Sequence, residues 1–240
     1  RRPSGSAAAR ERRHGVLLSL ADLCSEKGYA AVSVQDITCR AEVEMRTFYR
    51  MFAGKREAFA ALTEVYFQHM MALTAGAFFS DGSWPERVLC AKLALAGCVE
   101  ANPAVARACF VEAQAGERDG GERVEQLTQA FTLFITEGAQ QSERPAGSSR
   151  LGQEAIAHAN FELVYRQARA SESPRMAGVI GHSLQLCLAP FVGVSAAEQL
   201  LEREVAEESA RREMTASRSA RRPPRPVRRT SAKRRVSETS

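Results

Sequence analysis

Residues 33–55 read SVQDITCRAEVEMRTFYRMFAGK. Ser33 is placed to cap a helix, and Asp36, three positions on, sets a carboxylate at the positive end of that helix's dipole. Val34, Ile37, Thr38 and Ala41 follow at i, i+3, i+4 and i+7, a narrow stripe suited to packing on a neighbouring helix. A tight break at Glu42 separates this helix from a second one starting near Glu44. The second carries Phe48 and Phe52 inward and turns Arg46, Thr47, Tyr49 and Arg50 outward. An outer face rich in hydrogen-bond donors is what phosphate and base-edge contact require. Upstream, Leu17, Leu20, Ala21 and Cys24 repeat at helical spacing, and Gly28-Tyr29 supplies a stop. Three helices of this size close a small core, and the last two form a helix-turn-helix.

Gly28-Tyr29, Ser33-Val34, Asp36-Ile37, Ala41, Val43, Thr47, Phe48-Tyr49, Phe52, Lys55 and Glu57 stand together in order. At these residues the stretch from about Arg13 to Leu62 resembles the N-terminal domain of the TetR (tetracycline-repressor-like) family of transcriptional regulators. The resemblance implies that Ser33, Thr47, Tyr49 and Lys55 hold phosphates of double-stranded DNA. It also implies that Glu44, Met45 and Arg46 face the bases, with Arg50 on the same outer side. Two residues depart from the pattern. The family usually has glycine in the turn where this chain has Glu42, and a side chain in a left-handed turn costs roughly 1–2 kcal/mol. It often has a small hydroxyl residue capping the second helix where this chain has Glu44. Two carboxylates thus lie near the expected DNA surface, where they lower affinity or select a cytosine amino group.

The chain has 240 residues, 45% of them hydrophobic, enough for a large core. Its net charge of +5 is unevenly spread. Residues 1–60 carry 11 Lys+Arg against 7 Asp+Glu, residues 61–210 carry 11 against 19, and residues 211–240 carry 11 against 2. Basic ends attract a polyanion and the acidic middle is expected to face away from it. The expected organisation is a basic flexible arm over 1–12, the helix-turn-helix domain over 13–60, a helical effector-binding and dimerisation domain over 61–210, and a basic disordered tail over 211–240. The tail suits nonspecific, salt-dependent contact with nucleic acid.

After Lys55 a long helix is expected to run to about Phe79. Ser83-Trp84-Pro85, Asn102-Pro103 and Ser173-Pro174 each read as a cap followed by proline in the first turn. Helical patterns span 85–100, 104–115, 122–140, 152–170, 175–188 and 196–212, with loops at 116–121 and 142–149. No stretch alternates with period two, so the fold class is all-α. The Phe161–Val164 segment and the run at 189–191 are similar to the last two core helices of many TetR members, which implies homodimerisation through 152–170 and 175–188. Independently, one helix-turn-helix makes few contacts, and a two-fold dimer doubles them on a palindromic operator.

Six cysteines, none in a CxxC pair, argue for reduced, buried thiols and a cytoplasmic protein. No segment approaches the ~20 apolar residues of a membrane span, so no membrane partner is expected. The four histidines show no metal-ligand spacing, and there is no P-loop, GxSxG or Rossmann fingerprint, so neither an enzyme, a metal nor a cofactor is expected. Phe67, Phe78, Trp84, Phe110, Phe131, Phe134 and Phe161 are candidates to line a cavity for a small-molecule effector of unknown identity. The sequence thus points to a DNA-binding transcriptional regulator, a homodimeric repressor released by an effector. Two alternatives stay open: a nonspecific nucleic-acid binder driven by the tail, and a helical protein-interaction adaptor.

Overall fold

Helix α1, Gly5–Lys27, ends where Gly28, at φ 77°, enters the left-handed conformation that a side chain resists. A 3-10 turn, Tyr29–Ala31, leads to α2, Val34–Arg40, then to α3, Met45–Met51, and to the long α4, Lys55–Phe78. The second half holds α5, Trp84–Ala101, and α6, Pro103–Arg107, which runs into a π-helical turn, Ala108–Glu112. It continues with α7, Asp119–Gln141, α8, Arg150–Ala170, α9, Ala177–Val192, and α10 over 194–203. This computed structural model describes residues 5–112, 119–142, 149–170 and 176–203, and among them there is no strand.

Several expectations are corrected. Residues 5–12, read as a flexible arm, form the first turns of α1, because Ala7, Ala8 and Ala9 and the Arg/Glu run after them are strong helix formers. Asp119–Gly121, read as loop, open α7. The helix read over 104–115 changes to π geometry at Ala108. Ser173-Pro174, most of the two loops and the tail over 211–240 lie outside the described residues.

The turn between α2 and α3 closes as a Schellman motif. Val43 N–H donates to Thr38 O at 3.0 Å and Glu42 N–H to Cys39 O at 3.3 Å, which requires residue 42 to be left-handed. Glu42 has φ 52°, the one non-glycine residue at positive φ among those described. The strain expected from the missing glycine is therefore present.

Two apolar cores result. The first runs from Val16, Leu20, Phe48 and Phe52 through Met70, Val99 and Phe110 to Val164 and Ala168. It crosses the expected boundary at residues 60 and 61, which falls inside α4 between buried Ala58 and Leu62. The helix-turn-helix and the helices behind it thus share one packed interior. The second core joins Phe78, Trp84, Phe134, Leu184, Leu188 and Phe191. Here Trp84 Nε1 donates to Phe134 O at 2.8 Å, and its indole lies so close to Gly138 that a Cβ there would stand 2.2 Å from the ring. Phe78 and Phe134 stack at 4.3 Å.

All six cysteines are free; Cys24, Cys98, Cys109 and Cys187 are buried, while Cys39 and Cys90 are exposed, against the expectation of burial. The Cys24 thiol is pushed up to about 12, by burial first and by nearby Glu112 second, so it stays protonated and inert. Among the described residues no single helix is long and apolar enough to cross a membrane.

Two substitutions probe this packing. Glu42→Gly removes the left-handed penalty and is expected to stabilise the protein by ~1 kcal/mol, a rise of roughly 2–4 °C in Tm. Gly138→Ala drives a methyl into the Trp84 ring and is expected to cost about 1–3 kcal/mol, read by denaturant unfolding. An unchanged Tm for the first, or an unchanged midpoint for the second, contradicts the geometry.

Candidate nucleic-acid interface and effector cavity

α2 begins with a reciprocal box. Asp36 N–H donates to Ser33 Oγ at 3.1 Å, and Ser33 N–H and Oγ donate to Asp36 Oδ2 at 2.7 and 2.6 Å. Lys27 Nζ adds an ion pair at 2.9 Å. That ammonium first, and the Ser33 donors second, hold the Asp36 carboxyl well below the usual carboxylate range. The direction means its contribution to folding is present above that range and fades as the pH falls below it. Beside it, Arg40 binds Glu26 through two bonds of 2.8 Å. Lys27 and Arg40 are therefore charge-balanced within the domain.

α3 is different. Its inner side buries Phe48 against Phe52 at 5.6 Å, and its outer side exposes Met45, Arg46, Tyr49 and Arg50. Tyr49 is 54% exposed, its ring edge-on to Phe48 at 5.6 Å. Arg50 Nη2 donates to Thr47 Oγ1 at 3.0 Å. Arg46 makes no hydrogen bond, ion pair or ring contact with any described residue. Glu44 starts the helix through its backbone alone, its carbonyl accepting from Thr47 N–H at 2.8 Å and Phe48 N–H at 3.1 Å. Its carboxylate makes no cap bond and stays exposed on the same face.

Lys55 has an intramolecular task that sequence reasoning missed. Its Nζ donates to the carbonyls of Val32 at 2.7 Å, Tyr29 at 2.9 Å and Ala30 at 3.4 Å, and sits 4.4 Å from the centre of the Tyr29 ring. The N–H of the same Tyr29 donates to Glu112 Oε2 at 2.9 Å. These partners lie 26 and 83 positions away, beyond the reach of any local pattern.

Behind the first core lies a narrow cavity of about 30 Å³, room for a water or two. Phe110, Phe131 and Phe161 line it, with Met70, Leu95 and Val164. Of the other aromatic candidates, Phe67 backs Phe110 at 5.9 Å, whereas Phe78, Trp84 and Phe134 belong to the second core and do not line it. Sequence reading overlooked four polar residues that do: Lys92, Thr128, Asn160 and Ser183. Lys92 left a signal, a lone charge inside the apolar run LCAKLALAGC at residues 89–98. A more open depression of about 270 Å³ lies among α1, α4 and α6, beside Leu17, Tyr66 and Val105, and includes none of the predicted aromatics.

A short helix with one side sealed in a core and the other offering cationic and phenolic donors, carried by a long helix into further helical layers, defines a helix-turn-helix module. Residues 18–62 match the family described as "Bacterial regulatory proteins, tetR family". A gamma-butyrolactone receptor (ArpA-like protein) superposes with a TM-score of 0.65 at 17% identity, covering 85% of this chain and 99% of that one. The fatty acid degradation regulator FadR from Bacillus halodurans gives 0.64 at 14% identity, covering 76% and 97%. CprB from S. coelicolor A3(2) gives 0.63 at 18% identity, covering 80% and 95%. At such identities the likeness establishes the fold. No curated protein matches the chain by sequence.

Replacing Lys55 with methionine strips three carbonyls of a charged donor. It is expected to cost ~1.5–3 kcal/mol of stability and to weaken binding to all DNA sequences alike. Thermal unfolding and a salt titration of binding check this together. Unchanged stability with weaker binding would reduce Lys55 to a phosphate contact only.

Proposed function

We propose that this protein is a homodimeric, sequence-specific repressor that binds a palindromic operator in double-stranded DNA and leaves it when a small-molecule effector binds. The observation that carries this reading is the uncommitted Arg46 guanidinium on the exposed side of α3, beside Tyr49 and Arg50. An arginine with no internal partner is free to pair with both acceptors of a guanine edge, which discriminates by ~1–3 kcal/mol. Thr47 and Tyr49 border it as phosphate contacts, with Glu44 and Met45 near the bases; the donors expected from Ser33 and Lys55 are spent on Asp36 and on the Tyr29, Ala30 and Val32 carbonyls, so these two act by holding the domain's backbone. The free cysteines fit a reducing cytosol.

Dimerisation is supported by α8 and α9, whose outward sides expose Leu151 and Leu186. Pairing them across a two-fold axis sets two copies of α3 on one side of the duplex, with half-sites about one turn, ~34 Å, apart. Effector release is supported by the shared core and by the cavity. Phe110 lines the cavity and Glu112, two residues on, holds Tyr29 of the DNA-binding domain. The gamma-butyrolactone receptor is a ligand receptor with this fold.

Binding-site selection with the purified full-length chain tests the proposal. Wild type is expected to enrich an inverted repeat as a dimer in sedimentation. Arg46→Ala is expected to lose preference at one symmetry-related position of each half-site, at a cost of ~1–3 kcal/mol. A protomer that stays single, or random duplex bound as tightly as any selected site at physiological salt, refutes it.

A further inference from the structure

Lys92 is 4% exposed, on α5, facing a cavity otherwise lined mostly by apolar side chains. Its Nζ donates to Asn160 Oδ1 at 2.8 Å and to Ser183 Oγ at 2.6 Å. Asn160 is held in that orientation because its Nδ2 donates to Ile156 O at 2.7 Å and to Cys187 Sγ at 3.1 Å. The Ser183 hydroxyl donates to Asn160 Oδ1 as well. An ammonium has three N–H donors, and two are taken. Phe131 lies on the cavity side, its ring centre 5.9 Å from Nζ. Among the described residues no carboxylate pairs with Lys92.

As a purely structural tie between α5, α8 and α9, this arrangement is poorly chosen. Glutamine would donate to the same two oxygens without burying a charge, and leucine or methionine in a repacked site would be at least as stable. A buried cation held by two neutral acceptors, with a donor left over, is matched by a ligand that brings the missing negative charge. The one ammonium N–H left over, joined by the Ser183 hydroxyl once it turns from Asn160 to the ligand, suits a monoanion; a phosphate dianion calls for more donors, of the bidentate arginine kind. Phe110, Phe131 and Phe161 then receive an apolar body.

We infer that the effector is a small amphipathic carboxylate, its head bound by Lys92 and Ser183 and its body packed among Phe110, Phe131 and Phe161. This rests on the ligand-released repressor reading, but its test does not need the operator. The full-length protein is titrated by calorimetry with octanoate, decanoate and 4-phenylbutyrate, each beside its primary amide. At least one carboxylate is expected to bind about tenfold or more tightly than its amide, the scale of a charge-assisted hydrogen bond. Lys92→Met, and Lys92→Gln as the variant that keeps the hydrogen bonds, are expected to abolish the preference while the fold melts cooperatively. If no carboxylate binds, if amides bind as well, or if both folded variants keep the preference, the inference is wrong. Should Lys92→Met not fold, the wild-type ratio and Lys92→Gln still decide. Selective operator binding without carboxylate binding sinks the ligand class alone; carboxylate binding without an operator sinks the repressor reading alone.

Discussion

Tyr29 is gripped from both sides. Its carbonyl accepts from Lys55 at the start of α4, and its N–H donates to Glu112 at the end of the π-helical turn. Lys55 also donates to the carbonyls of Ala30 and Val32, and through these ties the end of α1, the start of α4 and the floor of the second half become one unit. Lys55 sits in the first turn of α4, the unfavourable end of a helix dipole for a cation, at a cost of about 0.3–1 kcal/mol. Charged hydrogen bonds to neighbouring carbonyls contribute about 1.5–3 kcal/mol, so the tie outweighs the dipole. Against a total stability of roughly 5–15 kcal/mol, this one knot is a large share.

The two acids of the helix-turn-helix act differently on that platform. Glu42 occupies the left-handed position that the Schellman bonds demand, so its cost is conformational and independent of DNA. Glu44 is strain-free at φ −67°, and its side chain takes no part in capping. On the proposed reading this carboxylate, which has no structural task, acts by charge: it disfavours phosphate nearby and accepts from a cytosine amino group. On that reading, selectivity comes from repulsion at Glu44 as well as attraction at Arg46.

What the sequence made legible was local. The Ser33/Asp36 box, the inward Phe48 and Phe52, the stop at Gly28 and the strained turn at Glu42 each depend on residues within five positions of one another. The long-range roles of Lys55 and Glu112 did not, since no periodicity reports a partner 26 or 83 residues away. The seven aromatics share helical spacing, which names a buried side but not the neighbour it meets. Phe78, Trp84 and Phe134 were drawn away from the cavity by the close approach of the indole to Gly138, a contact across two helices. Over 5–12 the reason is the opposite: the arginines signal charge, while the alanines set the backbone.

The narrowness of the cavity bears on how an effector acts. A ligand that fitted the existing space would favour the conformation seen here, whereas one larger than about 30 Å³ enters only if the lining moves and so favours another. Phe131 and Phe161 are half-buried. Phe110 is 3% exposed and is held edge-on by Tyr66 and Phe67, so displacement there passes along the backbone. Two residues further on stands Glu112, the last residue of the π-helical turn. Loosening its bond to Tyr29 releases one charged hydrogen bond, and ~1.4 kcal/mol of coupling already changes operator affinity tenfold. A single shifted turn is therefore sufficient for control on the proposed reading, with no need for a large rearrangement of the shared core.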